Sequence, residues 1–81
     1  MRVEVRLTAE ELAIVCRPIN GEGGWQTLLR RLLARLNSLT GDMSVRTQEL
    51  DDIERYAYAY GEGGYQERFR AILAAVARVR S

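Results

Sequence analysis

The sequence predicts a mostly helical α+β domain in which two strand–helix–helix repeats, 1–40 and 41–81, form a pseudo-twofold unit with a two-stranded antiparallel ribbon and four helices. Three observations lead there. Gly21-Glu22-Gly23-Gly24-Trp25-Gln26 returns forty residues later as Gly61-Glu62-Gly63-Gly64-Tyr65-Gln66, and a motif recurring at fixed spacing marks a duplicated unit. An apolar helical pattern follows each copy in matching register: Leu29 meets Phe69, Leu32 meets Ile72, Leu33 meets Leu73 and Leu36 meets Val76. A short alternating segment opens each half. Eighty-one residues suffice for one thin core, so the halves are expected to fold against each other as a single domain.

In the first half Val3, Val5 and Leu7 alternate with Arg2, Glu4 and Arg6, the period of a half-buried strand. Thr8 followed by Glu11 forms a capping box and starts a helix. That helix is expected to end near Cys16, since Pro18 disfavours helical geometry at Arg17. Cys16, four residues after Leu12, is placed on its apolar face as a core thiol. The second helix runs through Trp25, Leu28, Leu29, Leu32, Leu33 and Leu36, an amphipathic spacing. Residues 37–42 link the halves. Met43 and Val45 then alternate with Ser44 and Arg46 in a second strand, and Thr47 caps a helix whose apolar face is Leu50, Ile53, Tyr56, Ala57 and Tyr60. Asp51, Asp52 and Glu54 sit where its dipole favours acids. The fourth helix buries Tyr65, Phe69, Ile72, Leu73 and Val76. Upstream of the glycines the helical match shifts to an offset of 41, Leu12 with Ile53, so the first half has one extra loop residue around Asn20.

Composition narrows the function. Apolar residues form 47% and charged residues 28% of the chain, the mix of a soluble globular protein. The single cysteine permits no internal disulfide, and no run approaches the ~20 apolar residues that cross a bilayer, so the expectation is a cytoplasmic protein without a membrane partner. Histidine is absent, which removes the usual general base and the commonest metal ligand. Asp51 and Asp52 are adjacent, about 100° apart on a helix, and converge on no common atom. No nucleophile, base and oxyanion site can be assembled. The chain is therefore read as a non-enzyme without cofactor or metal.

Candidate binding residues fall in three groups. Both Gly-Glu-Gly-Gly turns, Glu22, Gly23 and Gly24 with Glu62, Gly63 and Gly64, serve either as tight helix-to-helix turns with Gly21 and Gly61 in the left-handed region, or as nests of free N–H groups. Arg30, Arg31 and Arg35 form a basic stripe opposite the leucines of the second helix. Tyr58 falls opposite Tyr56 and Tyr60 and faces water, where an aromatic can contact a partner. All 12 basic residues are arginine, suited to forked contacts with phosphate, guanine or carboxylate. Against that stripe, residues 47–67 hold six acids and one arginine, a polarity that suits a homo-oligomer joined by opposite charges.

Val5-Arg6-Leu7-Thr8-Ala9-Glu10-Glu11-Leu12 resembles the entry of ribbon-helix-helix DNA-binding proteins, and Ser44-Val45-Arg46-Thr47-Gln48-Glu49-Leu50 is similar. The resemblance implies a pseudo-dimer within one chain, its ribbon aimed at the major groove through Arg2, Glu4, Arg6, Ser44 and Arg46. It implies a transcriptional regulator. Where that family opens its second helix with a phosphate-clamping serine or threonine after glycine, this chain has Gly-Glu-Gly-Gly. A second expectation stands beside the first: a protein-interaction or ligand-sequestering module using the turns, the arginine stripe and Tyr58. The segment from Tyr60 to Arg68 is similar to small proteins of prophages and mobile elements, which suits either one.

Overall fold

The computed structural model describes residues 1–19, 21, 23–59 and 65–80. Among them the chain forms β1 (Arg2–Arg6), α1 (Ala9–Val15), α2 (Gly24–Leu33), β2 (Asp42–Arg46), α3 (Leu50–Glu54) and α4 (Gln66–Arg80). A 3-10 turn, Thr47–Glu49, leads into α3, and a π-helical turn, Arg55–Ala59, leaves it. The architecture is α+β and mostly helical, one two-stranded antiparallel sheet with four helices. No described helix is long and apolar enough to cross a membrane.

The strands pair Arg2 with Arg46, Val3 with Val45, Glu4 with Ser44, Val5 with Met43 and Arg6 with Asp42. Because side chains alternate across a strand, this register puts Val3, Val5, Met43 and Val45 on one face and every polar partner on the other. The apolar face closes over Leu29, Leu32, Ile53, Phe69 and Ile72, all fully buried. α4 packs against α1, β1 and α3, while α2 packs against β2. The amide of Leu7 donates to the Gly41 carbonyl at 2.9 Å, which extends the pairing one step past β1. Gly41 has φ +82°, and an added Cβ would lie 2.6 Å from the Leu7 carbonyl oxygen, so only glycine fits this crossing of the two halves.

α1 starts as its sequence dictates. The Thr8 hydroxyl accepts from the Glu11 amide, and the Glu11 carboxylate accepts from the Thr8 amide. Three expectations need correction. Cys16 is exposed rather than buried: the inward stripe runs through Leu12 and Val15, and Cys16, at the C-cap, turns out beyond it. α2 ends at Leu33, because the chain then leaves the helix and Leu36 bridges to Met43 beside the sheet. Thr47 does not cap a long helix; it lies within the 3-10 turn, its hydroxyl directed to the Met1 carbonyl, and the N-terminal amide of Arg46 is instead taken by the Glu49 carboxylate at 2.9 Å. The helix expected from Thr47 onward is thus a composite of 3-10, α and π turns. Tyr60, the last residue of its expected apolar face, lies outside the described residues.

Candidate functional site

The outer face of the ribbon gathers the residues that the family resemblance selects. Arg2, Glu4, Arg6 and Arg46 are exposed and Ser44 is half-exposed. At the centre the Ser44 hydroxyl donates to Glu4 Oε1. At one end Arg6 grips Asp42, Nε to Oδ1 at 2.8 Å and Nη2 to Oδ2 at 3.2 Å. This fork depresses the Asp42 pKa and raises that of Arg6. At the other end Arg2 and Arg46 stand opposite each other, and among the described residues neither side chain is joined to a partner by an ion pair. Their guanidinium forks are available to a ligand. Sequence reasoning missed Asp42, which it assigned to the linker; its alternation with Ser44 and Arg46 was the signal that could have placed it on the ribbon.

The turn residues divide. Gly21 takes the expected left-handed φ of +81°, but in the loop before α2 rather than at the end of α1, which stops at Val15. Gly23 is the N-cap of α2 and makes no side-chain cap, and a Cβ on Gly24 would lie 2.3 Å from the Tyr56 hydroxyl. Gly24 thus has a packing role: it admits Tyr56 against the start of α2. Glu22, Gly61, Glu62, Gly63 and Gly64 lie outside the described residues.

Trp25 stacks on Tyr65 with centroids 5.2 Å apart, Tyr56 meets Tyr65 edge-on, and Tyr56 stacks on Phe69. This aromatic cluster joins the first turns of α2 and α4, while later residues reach the ribbon: Leu36 bridges Met43, and Arg78 donates to the Arg6 carbonyl.

The arginine stripe also separates. Arg30 is exposed and donates to the Gly21 carbonyl at 3.0 Å. Arg31 is exposed and reaches Glu49 at 4.0 Å. Arg35 is largely buried, and its Nη2 donates to both Glu49 oxygens at 2.7 and 2.8 Å. Glu49 is itself buried, so this pair is a structural tie between α2 and the 3-10 turn. Arg68, which no sequence signal singled out, is buried beside Trp25 and donates to the Arg17 and Pro18 carbonyls, securing the chain after α1. Burial and then Arg17 lower its pKa.

Tyr58 is two-thirds exposed on the π-helical turn, with the Arg70 guanidinium 5.2 Å from its ring centre. Beside it lies a groove of about 730 Å³ between α3 and α4. Among the described residues no cluster of acids and cysteine could hold a metal ion. Comparison with protein-family models, curated proteins and solved structures gives no match to this chain.

Proposed function

We propose that the protein is a non-enzymatic DNA-binding regulator that presents the outer face of its ribbon to the major groove. The observation that supports this reading is the exposed ribbon itself, with Arg2 and Arg46 at one end and Arg6, paired with Asp42, at the other. A two-stranded ribbon fits the major groove, and an arginine fork matches the O6 and N7 edge of guanine. Glu4 offers an acceptor for the amino group of cytosine, and Ser44 can serve either role.

The proposal includes a pseudo-twofold axis between the halves. At the offset of forty residues Glu4 corresponds to Ser44, Arg2 to Asp42 and Arg6 to Arg46. Exchanging the halves turns the pair Arg2–Arg46 into Asp42–Arg6 and leaves Glu4–Ser44 in place, which is the observed register. Trp25 and Tyr65, equivalent by the same offset, also touch each other. Contacts between equivalent residues are what an axis passing through both places requires.

With Gly-Glu-Gly-Gly in place of a clamping serine or threonine, backbone contacts contribute less than in a protein that has the clamp. The test is fluorescence anisotropy with duplex DNA across salt concentrations. Binding is expected to weaken steeply as salt rises, since released counterions drive it. Arg46→Ala is expected to lower affinity roughly tenfold or more with the fold intact, on the scale of ~1–3 kcal/mol for a base-reading arginine. Absence of salt-dependent binding to any duplex at low salt removes the proposal.

A further inference from the structure

The groove between α3 and α4 is unlike the rest of the surface. Its floor is apolar, from Leu50 and Leu73, which are only half-buried, with the exposed Tyr58 at its rim. Asp51 and Glu54 of α3 line one wall, and Arg70 and Arg80 of α4 line the other. Acids and arginines thus face each other across an open gap. Among the described residues none of these four makes an ion pair, although the chain closes six such pairs elsewhere. Arg70 is held in place by a hydrogen bond from its Nε to the Ala57 carbonyl at 3.0 Å, a carbonyl in the π-helical turn. π turns recur at functional sites, and this one projects Tyr58.

We infer that this groove is a self-association surface whose occupant is the same groove of a second copy. The charge pattern selects that occupant. A partner must bring a basic edge to the Asp51 side, an acidic edge to the Arg80 side and an apolar strip between. Rotation by 180° about an axis lying along the groove presents those features: the acidic wall of one copy meets the arginine wall of the other, twice, and both apolar floors are covered together. An isologous interface of this kind closes as a dimer. None of these residues belongs to the ribbon's outer face, so self-association and DNA binding are separable.

The experiment is sedimentation velocity on the full chain over a concentration series, with three samples. The wild type is expected to pass from monomer to dimer with rising concentration, and dimerisation is expected to weaken severalfold in high salt, which screens exposed charges. Asp51→Arg with Glu54→Arg makes both walls basic; Ala77→Glu with Arg80→Glu lowers the charge of the other wall. All four positions are exposed, and circular dichroism checks the fold. Each double variant alone is expected to lose at least tenfold in dimer affinity. Their equimolar mixture is expected to recover a heterodimer, because every juxtaposed wall is then opposite in sign or nearly so. A wild type that stays monomeric at all concentrations overturns the inference and leaves the groove to a different protein. A dimer indifferent to both double variants, or no recovery in the mixture, overturns this surface as the interface.

Discussion

The two halves begin from nearly the same pattern and reach different geometry. In the first, the Thr8–Glu11 capping box sets α1 off as a regular helix, with Arg78 of α4 also holding the Glu11 carboxylate. In the second, the corresponding box is closed by Glu49 on the Arg46 amide, with no capping hydroxyl. Its Glu49 carboxylate accepts from the Arg46 amide and at the same time from Arg35 of α2, and the chain winds as a 3-10 turn, five residues of α-helix and a π turn. α4, at 15 residues, also outruns its counterpart α2, at 10. Its extra turns place Arg78 against Glu11 and the Arg6 carbonyl. The lesson is that an acid locked to a backbone amide and braced by a distant arginine, present in both halves, does not by itself fix the helical type that follows, and a repeat in sequence need not be a repeat in helical type.

Breaking Glu49 should break the contrast most. Glu49→Ala leaves Arg35 largely buried without a counter-charge and frees the Arg46 amide. Removing one partner of a buried pair costs about 3–5 kcal/mol, and the partial exposure of Arg35 lowers the expectation to ~2–4 kcal/mol, readable by urea unfolding. Glu49→Gln, which can keep a hydrogen bond, should fall between. The caps come next. Thr8→Ala is expected to cost ~1 kcal/mol, whereas Thr47→Ala, whose hydroxyl caps nothing, should be within ~0.5 kcal/mol of wild type. Equal losses at the two threonines would contradict the difference between halves.

The smallest effect is one of pH. Hydrogen bonding from Arg78, opposed in part by burial, lowers the Glu11 pKa below its ordinary value. A carboxylate with a depressed pKa in the folded state stabilises above the unfolded value of about 4.3, and that contribution is lost as pH falls through the folded value. Stability of the wild type should therefore decline below about pH 4.5 more steeply than that of Glu11→Gln, measured by thermal unfolding between pH 3 and 6.

Features set by neighbours in sequence were legible. The alternation of Val3 and Val5 with charged residues gave β1 its inward face, Thr8 and Glu11 gave α1 its start, and glycine at position 21 gave the left-handed turn. Features set by partners distant in sequence were not. Arg35 lies in the same stripe as Arg30 and Arg31, yet it is drawn inward because α2 has ended and Glu49 waits there. In the π turn the Ala57 carbonyl accepts from Arg70 of another helix, a contact that no periodicity reports. Of the candidate site, the ribbon residues come together as the alternation required. The arginine stripe does not act as a unit, since its three members serve a turn carbonyl, a long-range acid and a buried pair.

The ribbon joins residues about forty positions apart, from Arg2 with Arg46 to Arg6 with Asp42. Closing so long a segment costs conformational entropy that the strand pairing and the packing beneath it must offset together. Nothing local holds either strand in place alone. The arginine face consequently exists only where both strands are paired, because Arg2 and Arg46 are set side by side by the ribbon and by no local contact.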